Sequence, residues 1–184
     1  MPHLFYVIGA SGVGKDALMN YARTKLNGAL PLIFAHRYIT RPPKEGNENH
    51  IWVSPEEFSL RQKQNLLAFH WESHGLYYGV GVEIYTWMQN GFDVVLNGSR
   101  EYLPIARKLF PGLVTILIEA SPEVVRQRLE NRGRESKDAI ENRLGRRPDI
   151  NYPTENFLRI RNEGLLEEAG DTLIYSIRNY MGHS

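Results

Sequence analysis

Gly9-Ala10-Ser11-Gly12-Val13-Gly14-Lys15-Asp16 follows the apolar run Leu4-Phe5-Tyr6-Val7-Ile8 directly and leads into a stretch with helical character. Its first seven residues fit the G-x-x-x-x-G-K phosphate-binding loop, in which backbone N–H groups and the positive end of a helix dipole converge on an anion. Glycine at 9, 12 and 14 permits the tight backbone path, and Lys15 is placed to bridge β- and γ-phosphates. The eighth position of the pattern is Ser or Thr, whose hydroxyl holds Mg²⁺; here it is Asp16. A bare carboxylate ~4 Å from a phosphate charge is repelled by roughly 4 kcal/mol per unit charge at an effective dielectric of 20. A bound cation reverses that sign, and Mg²⁺ takes oxygen ligands, commonly one or two carboxylates plus substrate phosphates. Asp16 is therefore expected to serve Mg²⁺ directly or through water; the alternative is a residue of the first helical turn with no metal role.

The rest of the chain repeats the strand-then-helix rhythm. Asp93-Val94-Val95-Leu96 and Leu113-Val114-Thr115-Ile116-Leu117-Ile118 are short apolar runs, the second without polar alternation, as suits a strand buried on both faces. Ser121-Pro122-Glu123 places a hydroxyl cap and a proline at a helix start. Phe157 to Arg161 reads as a last strand and about Glu163 to Tyr180 as an amphipathic helix, with Gly170 a weak point in its continuity. This alternation predicts an α/β fold, a parallel sheet covered by helices. Residues 37–78 break the rhythm, being rich in Pro, Gly, Asn and aromatics, and read as an inserted lobe containing one helix opened by a capping box, Ser54-Pro55-Glu56-Glu57.

At 184 residues the chain fits a single domain with a real core, and its 42% hydrophobic and 23% charged content is that of an ordinary globular protein. It contains no cysteine, which excludes disulfides and thiolate metal sites and suits a reducing, cytoplasmic setting. The first apolar run has no basic leader and is far shorter than the ~20 residues of a membrane span. Net charge is +1, so neither nucleic acid nor an anionic membrane is an expected partner.

Charge is nevertheless concentrated. Between Arg126 and Arg147 eight Lys or Arg face four acids, an excess of +4 that leaves −3 for the remainder. Arg128, Arg132, Arg134, Arg143 and Arg147 are expected to form a lid over a nucleotide, stabilising charge on a transferring phosphoryl group. The competing reading is a solvated helical face with pairs such as Arg134 to Asp138. Arg37, Arg41 and Lys44 form a second basic cluster, stiffened by Pro42 and Pro43 and suited to gripping an acceptor phosphate. Tyr78 of Tyr77-Tyr78-Gly79 can add a hydroxyl. His70 and His74, four apart, are read as packed or surface residues rather than metal ligands.

Together Gly9 to Lys15, Thr40-Arg41-Pro42, Val53-Ser54-Pro55-Glu56-Glu57-Phe58, Tyr77-Tyr78-Gly79, Arg132-Gly133-Arg134 and Arg143-Leu144 resemble the guanylate kinases over nearly the whole chain. The resemblance implies a P-loop NTPase fold, three-layer α/β/α with a parallel sheet. It also implies a core (residues 1–36 and 79–184), an acceptor lobe (about 37–78) and an arginine-rich lid (about 132–150). It departs where guanylate kinases read the base: Phe69 stands for a glutamate, Val80 for a serine or threonine, His50 for a tyrosine, and Asn97-Gly98-Ser99-Arg100 for acids that follow a strand. Losing buried hydrogen bonds that read a base costs several orders of magnitude in specificity.

Gly14-Lys15-Asp16, Tyr78-Gly79-Val80-Gly81-Val82-Glu83-Ile84 and Val94 to Arg100 are similar to a second family, the ribose 1,5-bisphosphate phosphokinases of bacterial phosphonate degradation. That resemblance implies ATP and Mg²⁺, a sugar bisphosphate acceptor, 5-phosphoribosyl 1-diphosphate as product, and a monomer or homodimer. It assigns Gly9 to Asp16, Arg128 and Arg132 to ATP, and Lys15, Arg132 and Arg143 to catalysis. Arg37, Arg41, Lys44, Tyr78, Asn97, Ser99 and Arg100 are assigned to the acceptor, with Asn97 and Ser99 reading hydroxyls. A guanylate or other nucleoside monophosphate kinase is the alternative enzyme, and a non-catalytic interaction module of the same fold the alternative class.

Overall fold

A computed structural model describes residues 1–42, 50–133, 140–141, 144–145, 152 and 155–182, and of residue 132 the backbone alone. The phosphate-loop strand, β1 (Leu4–Gly9), is the middle of a five-stranded sheet. On one side lie β7 (Asp93–Asn97) and then β2 (Leu32–Phe34); on the other, β8 (Val114–Glu119) and then β9 (Phe157–Arg161). All four pairings are parallel. With β7 on one side and β8 on the other, β1 is the point where the strand order reverses, and α/β folds bind ligands outside the C-terminal ends of strands at such a point.

Residue parity along β1 sets the layers. Phe5 and Val7 pack with Leu18, Met19 and Ala22 of α1 (Lys15–Leu26), Val125 and Leu129 of α5 (Pro122–Arg132), and Leu173 and Ile177 of α6 (Leu166–Tyr180). Leu4, Tyr6 and Ile8 face the other way, toward Ile84 of α3 (Glu83–Gln89) and Leu103 and Ala106 of α4 (Leu103–Leu109). The sheet therefore lies between two helical layers, as the alternating runs predict. Ser121 caps α5 by accepting from the Val124 N–H. Helix α6 runs unbroken through Gly170, against which the Tyr21 ring lies.

The chain leaves this sheet after Phe34 and returns at Glu83, building a second sheet in the order β4-β3-β6-β5. Its strands are β3 (Arg37–Ile39), β4 (His50–Trp52), β5 (Leu67–Ser73) and β6 (Leu76–Gly81). Helix α2 (Pro55–Lys63) lies between β4 and β5 in the chain. Ser54 accepts from the Glu57 N–H, but the Glu57 carboxylate turns to Arg61 at 2.7 Å, so only half of the expected capping box forms. The lobe's own buried core is Val53, Phe58 and Leu67. Phe69, Trp71 and Val80 join the core beside β1 instead, fastening the two sheets together. Among the described residues no helix is long and apolar enough to cross a membrane.

Candidate active site

Gly12 and Gly14 hold φ of 90° and 88°, and Gly14 is the N-cap of α1. A side chain in that left-handed region is strained, and a Cβ on Gly14 would also meet the Asn162 amide. The loop is fixed from behind: the Val13 carbonyl accepts from Asn162 Nδ2 at 2.7 Å and from Arg128 Nη1 at 3.3 Å. A carbonyl held by two donors is turned toward them, which removes a partial negative charge from the side where phosphate would sit. Arg128, expected at ATP, thus lies against the loop itself. No motif in the sequence marks Asn162; the only signal is its position immediately after the last parallel strand, at the end of the sheet where sites form.

Asp16 lies in the first turn of α1, facing the end of β7. Register pairs Val7 with Asn97, and the Asn97 amide donates to Asp16 Oδ1 at 2.7 Å. Asn97 is buried, and its Oδ1 has no hydrogen-bond partner. A carboxylate beside an orphaned amide oxygen is a set of hard oxygen donors, which fits Mg²⁺. Among the described residues no cluster of three or more His, Asp or Glu exists to cage a metal; Mg²⁺ needs none, since it keeps waters and substrate phosphates as ligands.

On the acceptor side, Arg37 is buried on β3 with its guanidinium 5.1 Å from the Tyr78 ring and 5.9 Å from Trp71. Those two rings stack with an interplanar angle of 3°, and Tyr102 lies 5.6 Å from Trp71. The guanidinium is held over aromatic faces, a geometry that suits arginine better than lysine. Phe69 is fully buried, its ring 6.1 Å from Tyr6 and 6.4 Å from Tyr102, and Val80 is fully buried beside it. Phe69 and Val80, two of the positions where the resemblance to guanylate kinases would put base-reading side chains, are therefore packed hydrocarbon.

The segment after β7 brings Ser99 and Arg100 to the same end of the sheet as the phosphate loop. The Tyr6 hydroxyl donates to the Ser99 carbonyl at 3.2 Å and accepts from the Ser99 N–H at 3.0 Å. Burial pushes the Tyr6 phenol far up, so it keeps its proton at any working pH. Arg41 follows β3 on the lobe. Lys44, Arg134, Arg143 and Arg147 fall outside the described residues, as does the Arg132 side chain. Arg126, at the edge of the basic segment, pairs with Glu141 at 2.9 Å. His70 lies in β5 and His74 in the turn after it, so the two do not share a helical face.

No family model matches the chain. It is 50% identical over 171 residues to the ribose 1,5-bisphosphate phosphokinase PhnN of Thiobacillus denitrificans, covering 93% of this chain and 90% of that protein. The chain belongs to the ribose 1,5-bisphosphate phosphokinase family. A second member, from Psychromonas ingrahamii, is 47% identical over 177 residues, with 96% and 90% covered. The crystal structure of guanylate kinase from Anaplasma phagocytophilum superposes with a TM-score of 0.69 at 17% identity, covering 97% of this chain and 86% of that one. At that identity the likeness speaks for the guanylate kinase-like fold, whereas the phosphokinases match at about half of all positions over nearly the whole chain.

Proposed function

We propose that the protein transfers the γ-phosphoryl group of ATP to the 1-phosphate of ribose 1,5-bisphosphate, giving 5-phosphoribosyl 1-diphosphate and ADP. The observation that carries this reading over a nucleotide acceptor is Phe69, fully buried among Tyr6 and Tyr102 where a base would need a hydrogen-bonding partner. A doubly phosphorylated sugar asks for cations and hydroxyl contacts and for no base reader.

An oxygen of the 1-phosphate forms the new bond to the γ-phosphorus while the bond from that phosphorus to the β–γ bridging oxygen breaks, its electron pair leaving with ADP. The attacking oxygen is already an anion, so no side chain has to remove a proton; positioning and charge neutralisation remain. The loop amides and Lys15 hold the β- and γ-phosphates. Arg37, over its aromatic pair, Arg41 and Arg100 take the acceptor's phosphates, with Tyr78 and Ser99 adding hydroxyls. Asn97, expected to read a sugar hydroxyl, has its amide committed to Asp16, and we assign it to the metal side instead. Asp16 Oδ and the orphaned Asn97 Oδ1 would hold Mg²⁺ there, and the ion would supply charge neutralisation for the phosphates. Arg132 and Arg143 are assigned to the transferring group.

The test is direct comparison of acceptors. With ATP and Mg²⁺, ribose 1,5-bisphosphate should be turned over and GMP should not, read by ³¹P NMR of the products. Faster turnover of GMP would overturn the proposal.

A further inference from the structure

Tyr6 does not belong to the phosphate loop, the metal pair or the cationic grip, yet it lies among the elements that carry them: on the loop's own strand, in register with Leu96 beside Asn97. It sits on β1 three residues before Gly9, is fully buried, and carries a hydroxyl in a strand otherwise composed of hydrocarbon. Both polar functions of that hydroxyl are spent on one residue, donating to the Ser99 carbonyl and accepting from the Ser99 N–H. The ring lies against Gly98 so closely that a Cβ there would overlap it. Its other neighbour is Phe69 of the acceptor lobe, and the Arg37 guanidinium is near enough to act on the phenol electrostatically.

We propose that Tyr6 is a positioning residue for the acceptor: it fixes the backbone of residues 98–100, and so the placement of Ser99 and Arg100, relative to the phosphate loop on its own strand. A loop that leaves a parallel sheet after Asn97 has no ladder to hold it beyond the Gly98 N–H to Val7 bond. The Tyr6 hydroxyl supplies the next two bonds from below. A phenol suits the task because its single oxygen both donates and accepts, and burial keeps it protonated. Phenylalanine at the same place would fill the same volume and leave the part-buried Ser99 N–H and carbonyl to find other partners. The inference rests on the acceptor reading above for the identity of the ligand, but not for the loop geometry.

Tyr6→Phe separates the two. In hydrogen exchange, amides of residues 98–100 should lose protection in Tyr6→Phe while those of β7 within 94–96 keep it. In steady-state kinetics, KM for ribose 1,5-bisphosphate should rise about tenfold, the loss expected for one to two part-buried hydrogen bonds, with KM for ATP and the affinity for ADP within about twofold of wild type. Gly98→Ala, which pushes the loop off the same ring, should give the same signature. Unchanged exchange at 98–100, or equal losses for ATP and acceptor, would overturn the proposal. If wild type fails to use ribose 1,5-bisphosphate at all, the acceptor reading falls, while the exchange comparison still judges Tyr6.

Discussion

The side-chain amide of Asn97 donates to the carboxylate of Asp16 across 2.7 Å, joining the end of β7 to the first turn of the phosphate-loop helix. The usual loop pattern has its hydroxyl on the helix and relies on an acid elsewhere to complete the metal site. Here the acid stands on the helix and the neutral partner on the strand. In the metal site proposed above, the one carboxylate of the pair is thus on the helix rather than on the strand. Asp16→Asn should therefore raise the Mg²⁺ concentration needed for half-maximal turnover at least tenfold, and weaken the Mg²⁺-dependent part of ADP affinity measured by calorimetry. An unchanged metal requirement would leave Asp16 as a helix-turn residue only.

Asn97→Asp tests the same pair from the other side. Two carboxylates in contact repel by roughly 4 kcal/mol at ~4 Å and an effective dielectric of 20, so the metal-free variant should melt several degrees below wild type. Adding Mg²⁺ should recover more of the melting temperature in Asn97→Asp than in wild type, because the cation then neutralises two charges.

Lys15→Ala should lower kcat by about 10²- to 10³-fold, the scale seen when one preorganised donor to a developing charge is removed. Circular dichroism should remain native, since Asn162 and Arg128 hold the loop backbone at the Val13 carbonyl.

The parts of this molecule that were legible in the sequence are those governed by local rules. A buried strand, a glycine-rich turn and a lysine at the fixed spacing place the site at one end of β1, and β7, β8 and β9 fall within a residue or so of the apolar runs that announced them. The four strands of the lobe are not individually legible in the sequence, because their pleat is half-buried and their core is shared with β1 through Phe69 and Trp71. The contacts that shape the site pair residues far apart in the chain. Asn162 on Val13, Asn97 on Asp16 and Tyr6 on Ser99 are separated by 149, 81 and 93 positions, and no periodicity or spacing records such partners.

Glu83 gives a pH dependence whose sign follows from its surroundings. It opens α3 where the chain returns from the lobe, with His36 Nε2 at 3.4 Å and the Tyr38 hydroxyl donating to it at 3.2 Å. Burial pushes its carboxyl up, but His36, its own backbone amide and Tyr38 together outweigh this and hold it below the ordinary value of 4.5. A carboxyl with a lower value folded than unfolded stabilises the fold above the unfolded value, and that contribution is lost as pH falls through the folded one. Thermal melts from pH 6 to pH 3 should show a steeper acid loss for wild type than for Glu83→Gln. Parallel curves would mean that Glu83 contributes nothing to the acid limb.

Phe69 offers the sharpest test of why a base is not read. Restoring the glutamate that guanylate kinases carry there would seem the obvious route to GMP phosphorylation, but the position is sealed by Tyr6 and Tyr102 and has no exposed surface. A carboxylate placed among these rings is either desolvated or forced to take up a proton. Phe69→Glu should therefore lower stability by about 3 kcal/mol or more and gain no GMP turnover, because Val80, also fully buried, still lacks a hydroxyl. Phe69→Leu keeps the apolar surface and should cost about 1 to 2 kcal/mol. It should retain activity with ribose 1,5-bisphosphate, since the phenyl ring excludes a base without gripping the sugar. Denaturant unfolding of the two variants, paired with acceptor assays, separates exclusion by packing from recognition by contact: if Phe69→Leu folds normally yet loses the sugar substrate, Phe69 touches the acceptor and the exclusion argument is wrong.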